Sequence, residues 1–226
     1  MDRFDRCPET ALDWHRAGKG AVLATVIETW GSAPRRVGSQ LAISGEGEIE
    51  GSVSGGCVEG AVVVEAMDAL ADGKPRELEF GVSDQDAFAV GLACGGTIRV
   101  LVEPVGAVLP EDILDQLVKY RAARQPVAYV VDLDAGSRSL TLDGHDHAFR
   151  MDRSGFVPDS RTFVAIHNPP LRLTVVGAVP IARPLAPVLR TAGFEPRRSA
   201  LNEPLGPSCA FPDEPPRPPA PAKAHP

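Results

Sequence analysis

Hydrophobic and polar positions fall into two rhythms along the first hundred residues, one suited to helices and one to strands. Leu12 with His15 and Ala11 with Trp14 lie one helical turn apart, which predicts a short helix over 8–18 that Gly18 can end. The run Ala21-Val-Leu-Ala-Thr-Val-Ile27 is short and rich in β-branched residues, so Ala21 to Thr29 reads as a strand covered on both faces. Gln40 to Ser44 and Gly47 to Ser52 form the arms of a hairpin turning at Gly45-Glu46-Gly47. From Val58 the period lengthens. Val58, Ala61, Val62, Glu65, Ala66, Ala69 and Leu70 recur at three and four, predicting a helix over 57–72 with Gly73 and Pro75 as its stop. Cys57 would then stand in the first helical turn.

Further strands are predicted at 77–82, 97–103 and 127–133, with a helix over 111–124. Residues 138–151 read as two strands joined at Asp143-Gly144, followed by a strand at 161–166. A new unit opens at Leu171: strand Leu171 to Val176, a turn at 177–182, and a helix over 182–191 resemble the first βα of a dinucleotide fold. From Pro196 the last 31 residues hold ten prolines, a composition that supplies no further strands. The fold class expected is therefore α/β: an N-terminal mixed-sheet domain over 8–168, an incomplete Rossmann-like βα fragment over 170–195, and a disordered Pro-rich tail over 196–226.

Composition narrows the function. At 226 residues and 43% hydrophobic content the chain can bury a real core, built mainly from aliphatic residues because only 5% are aromatic. A formal charge of −7 argues against a phosphate-neutralising groove, so no nucleic-acid partner is expected. No apolar leader and no stretch of 18 apolar residues occurs, which predicts a cytoplasmic protein with no membrane partner. The four cysteines, at 7, 57, 94 and 209, are spaced for neither a disulfide scaffold nor a zinc site and are expected to be reduced thiols.

Three glycine-framed tracts carry the candidate chemistry. Gly31-Ser32-Ala33-Pro34-Arg35-Arg36-Val37-Gly38 places two guanidiniums on a tight loop at the carboxyl end of a strand. Gly51-Ser52-Val53-Ser54-Gly55-Gly56-Cys57-Val58-Glu59 offers a thiol behind amides able to converge on an anion. Cys94-Gly95-Gly96 holds a second thiol at a sheet terminus. Together they suit a ligand with anionic oxygens at one end and sulfur or a soft metal at the other. Plainer roles exist for each: cysteine as a core residue, Arg-Arg as a solvated pair, Glu59 as an acid complementing the helix dipole. His145 and His147 suit a polar exposed hairpin better than a metal site, and no Ser-His-Asp triad can be assembled.

By these tracts, in this order and spacing, residues 10–105 resemble the XdhC/CoxI family of xanthine dehydrogenase accessory proteins. The resemblance implies a non-catalytic chaperone that carries the molybdenum cofactor (molybdopterin) while a cysteine desulfurase supplies its terminal sulfido ligand. It then passes the cofactor to an apo molybdenum hydroxylase of the xanthine or carbon monoxide dehydrogenase type. Carried onto this chain, the binding residues are Ser32, Arg35, Arg36, Ser54, Gly55, Gly56, Cys57, Glu59, Cys94, Gly95 and Gly96, with Cys57 and Cys94 as candidate molybdenum ligands. Val175 to Ala182 is similar to the start of that family's Rossmann domain, with Pro180 where the family commonly has histidine. Neither Gly-x-Gly-x-x-Gly nor the acidic residue about 20 positions later is present, so NAD(P) binding is not expected, and a nicotinamide-dependent oxidoreductase built on the βα turn at 171–191 is the alternative function. Whether a second copy of the chain is a partner stays open in the sequence, as does an inactive remnant that only contacts other proteins.

Overall fold

A strand buried on both faces needs two separate covers, and Ala21 to Trp30 has them. The computed structural model describes residues 6–81, 96–176, 182–192 and 194–199, and the chain divides into one unit of residues 5–169 and another that includes 170–199. In the first unit the elements run α1 (Cys7–Arg16), β1 (Ala21–Trp30), β2 (Gln40–Ser44), β3 (Ile49–Gly51), α2 (Glu59–Asp72), β4 (Arg76–Phe80) and β5 (Thr97–Pro104). They continue α3 (Glu111–Ala122), β6 (Val127–Asp132), β7 (Ser137–Thr141), α4 (Asp146–Met151), β8 (Gly155–Phe156) and β9 (Thr162–His167).

Five strands form one sheet in the order β3-β2-β1-β5-β4, and four form a second in the order β7-β6-β9-β8. Every pairing in both sheets is antiparallel. Val22, Ala24 and Val26 of β1 pack with β2 and β5 residues against Val62, Ala66 and Ala69 of α2. Ala21, Leu23 and Ile27 point the other way, into a core shared with α1, α3, β6 and β9. Each fully buried Leu or Ile here is worth about 2 kcal/mol, so the central strand anchors both layers. The left-handed Gly73 (φ 70°) ends α2 by donating its N–H to Ala69.

At Ile27 the register between β1 and β5 slips by a bulge. Up to Val26 the even-numbered residues face α2; beyond it Thr29 pairs with Ile98 on that face, and Glu28 and Trp30 pair with Arg99 and Thr97 on the other. A bulge of this kind re-aims every side chain after it.

Two stretches depart from the sequence expectation. Residues 145–151, expected as a returning strand, form α4 instead, closed by the Phe149 N–H to His145 carbonyl bond and ended at left-handed Asp152 (φ 49°). His145 therefore caps the start of α4 and His147 lies in its first turn, so the two are not alternate strand positions. In the second unit, β10 (Leu171–Val176) and α5 (Ala182–Thr191) are followed by β11 (Phe194–Ser199), which pairs parallel with β10. The βα fragment is thus a β-α-β unit, and Pro196, expected to begin the disordered tail, lies inside a strand. A strand with one neighbour has an unpaired edge, where the missing proline N–H costs no ladder bond.

Candidate functional site

The first tract leaves β1 and is pinned at its base, Gly38 N–H donating to Val26 O (2.8 Å) and Val26 N–H to Ser39 O (2.9 Å). Ala33 packs on the α2-side core and Val37 on the opposite one, so the loop straddles the end of the sheet. Its two arginines take different partners. Arg35 Nε donates to Ser52 O at 2.9 Å, joining the first tract to the second. Arg36 Nη1 pairs with the Asp152 carboxylate at 3.1 Å, beside the C-terminus of α4.

The second tract does gather its amides around an anion, and that anion is the chain's own Glu59. Val53 and Ser54 N–H donate to Oε1 at 3.1 and 2.9 Å, and Gly56 N–H donates to Oε2 at 2.9 Å. Ser52 Oγ adds a bond of 2.5 Å to Oε1, and Ser54 Oγ binds Oε2. Burial alone would raise the Glu59 carboxyl, but the Ser52 and Ser54 hydroxyls and the Ser54 amide outweigh it and hold the group down at about 2. The remaining polar groups are used too: Gly55 N–H donates to Ser52 Oγ and Val58 N–H to Ser54 Oγ, at 2.8 and 2.9 Å. Helix α2 begins at Glu59, so Cys57 stands two residues ahead of the helix and not in its first turn. Its thiol is free, half-buried, and packed against the α2-side core, as Ala33 is.

The third tract is described only from Gly96; Cys94 and Gly95 lie outside the described residues. Gly96 sits so close to the first tract that a Cβ there would fall 2.4 Å from Ser32 O and 2.7 Å from Trp30 O. A Cβ built at Gly55 would lie 3.7 Å from Pro34, in ordinary contact. The three tracts therefore meet, the first in the middle, and glycine at 96 is what lets two backbones approach.

Beside the first tract opens a cavity of about 1000 Å³ between the end of β1 and residues 144–158. Ile27, Val37 and Phe156 give it apolar walls, and Arg36, His145, His147 and Arg153 reach it. A second cavity of about 580 Å³ shares Glu28 with it.

Residues 14–81, which hold the first two tracts, match the XdhC and CoxI family. This segment belongs to the XdhC and CoxI family. The molybdenum cofactor insertion chaperone PaoD of Escherichia coli (strain K12) is 36% identical over 127 residues, 56% of this chain and 39% of that protein. A Bacillus subtilis (strain 168) protein, named as a probable xanthine dehydrogenase component, is 28% identical over 195 residues, 77% of this chain and 57% of that one. A crystal structure from Bacillus halodurans, described as a xanthine dehydrogenase, shares the fold with a TM-score of 0.67 at 26% identity, over 84% of this chain and 61% of that one. The chain thus spans 39% and 57% of these two curated relatives.

Within the XdhC and CoxI segment, Ser32, Arg35, Cys57 and the Ser54–Gly56 loop gather at one end of the first sheet, and Gly96 joins them from β5. Arg36 is drawn off to Asp152. That partner, 116 residues away, and the cavity it borders left no local mark in the sequence. Among the described residues no three His, Cys, Asp or Glu side chains gather for a metal ion, and no helix is long and apolar enough to cross a membrane.

Proposed function

We propose that the chain is a molybdenum-cofactor maturation factor, holding the cofactor without turnover of its own and releasing it to a molybdenum hydroxylase of the xanthine or carbon monoxide dehydrogenase type. The likeness to PaoD and the family match over 14–81 support this. The observation that carries it is the meeting of three tracts beside a free, half-buried Cys57.

Cys57 would supply the soft donor to the molybdenum-sulfur end, losing its proton as it binds. Phosphate contact falls to arginine guanidiniums, because the Val53, Ser54 and Gly56 amides and both serine hydroxyls already serve Glu59, and the Gly55 amide serves Ser52 Oγ. Ser54, Gly55, Gly56 and Glu59 then shape the loop that presents Cys57, and Ser32 and Gly96 hold the first tract against it. Cys94 and Gly95 stay in the proposal on the family pattern alone, as do a cysteine desulfurase partner, a homodimer and a cytoplasmic location. Cofactor mixed with the purified protein should co-elute with it, and Cys57→Ala and Arg35→Ala should each lower the retained molybdenum. Equal retention by all three proteins would reject these residue assignments.

A nicotinamide-dependent oxidoreductase is the competing reading, favoured by the parallel β10-α5-β11 unit. Saturable NADH binding in a fluorescence titration would support it over the carrier.

A further inference from the structure

Resting on that carrier reading, we propose that the cavity beside β1 is the seat of the cargo's organic end. It would take a planar heterocycle with a phosphate, held by Arg153, His145 and His147 and capped by the exposed Trp30.

Size is the first ground. About 1000 Å³ is ample for a fused bicyclic ring with a phosphorylated side chain, and Ile27, Val37 and Phe156 supply flat apolar contact. Charge is the second. Glu28, Asp146 and Asp152 also line the cavity, but Glu28 is held by Arg99 at 2.7 Å, and Asp152 accepts from Arg36 (3.1 Å) and from Asn168 Nδ2 (3.1 Å). Arg153, His145 and His147 have no side-chain hydrogen bond or ion pair among the described residues, and neither has Asp146, so three uncommitted donors face the cavity against one uncommitted carboxylate. An anion is the ligand that would use them.

Trp30 is the third. The bulge at Ile27 turns Glu28 and Trp30 away from the α2 face, and Glu28 lines the cavity. Trp30 follows two residues on along the same face, about 7 Å further. It is 59% exposed, the only aromatic among the large exposed apolar residues of the described chain, while its backbone is fixed by pairing with Thr97 and by the approach of Gly96. An exposed indole one strand step beyond the lining Glu28 is a stacking surface for a planar ring that extends past the cavity. Cys57 is half-buried against the α2-side core, so the metal and organic ends of one ligand would engage opposite faces of the sheet's end.

The test titrates the full chain with a metal-free probe, 6-hydroxymethylpterin monophosphate, followed by the probe's fluorescence polarisation. Saturable binding is expected, weakened about ten-fold or more by Arg153→Ala, Trp30→Ala and the cavity-filling Ala148→Phe. Thermal melts confirm that these exposed or half-exposed positions leave the fold intact. Absence of probe binding to wild type, or equal binding by Arg153→Ala and Ala148→Phe, would overturn the seat. Whole-cofactor retention separates the two levels: if Ala148→Phe retains cofactor as wild type does, the seat fails and the carrier stands. If wild type retains none, the carrier fails and takes the assignment of the cargo with it.

Discussion

Glu59 decides the shape of the loop that carries the only described free thiol outside the α1 core. Its carboxyl, ordinarily near 4.5, sits at about 2 in the folded chain, so the ionised form is bound more tightly folded than unfolded. The stabilisation is therefore complete above pH 4.5 and is lost as pH falls from there through 2. Glu59→Gln is expected to cost about 2 kcal/mol at pH 6, the scale for losing charge-assisted hydrogen bonds. Urea melts at pH 6 and pH 3 should show the gap between mutant and wild type shrinking at the lower pH; a constant gap would mean the carboxylate is not what the loop is folded around. Gly96 makes a sharper case, since the atoms its Cβ would meet are the backbone oxygens of Ser32 and Trp30. Gly96→Ala should lower the melting temperature by several degrees, an effect of about 2 kcal/mol, and reduce cofactor retention by parting the tracts. Gly96→Ala with unchanged melting and retention would show that their close approach is not needed.

Elements hold together through polar ties as well as through the two cores. Glu103 on β5 is fully buried and takes Arg138 Nε of β7 at 2.9 Å and the Tyr129 hydroxyl of β6 at 3.1 Å, stitching the first sheet to the second. Burial pushes its carboxyl up, and Arg138 and Tyr129 pull it back only in part. Arg138→Met would leave a buried acid without its cation and is expected to cost about 3–5 kcal/mol, whereas Arg138→Met with Glu103→Gln should recover part of the loss. A double-mutant cycle by chemical denaturation measures this, and additive losses would refute the tie. Such ties explain which features could be read in advance. Strand β1 and helices α2 and α3 were legible because burial on a sheet or one helix face leaves a period in the sequence. Helix α4 was not: His-Ala-Phe-Arg-Met lacks a periodic apolar face, and the helix has no fully buried residue. Strand β11 was hidden by Pro196. The meeting of the glycine tracts was legible in kind, because their small residues mark close backbone approach, but the separate partners of Arg35 and Arg36 depend on side chains from distant elements and leave no local signal.

For the molecule as a whole, the question is how much chain the proposed site requires. Both large cores are built from residues 7–165, with α2 covering one face of the first sheet and α1, α3 and the second sheet covering the other. Among its described residues, the unit from Leu171 onward offers two parallel strands and one helix, with Ala186 buried and Val175 against it. Two strands and one helix with a core the size of the described one fall short of independent stability. A chain ending at Pro169 should therefore still melt as one cooperative transition, within a few degrees of the full protein, and still retain cofactor, since every described residue of the proposed site lies within it. The peptide 170–226 should show no cooperative melt by circular dichroism. A non-cooperative melt for the shortened chain would mean that its cores need the later residues; cooperative melting without cofactor retention would move part of the binding site beyond Pro169 and reopen the nucleotide-type unit as a contributor.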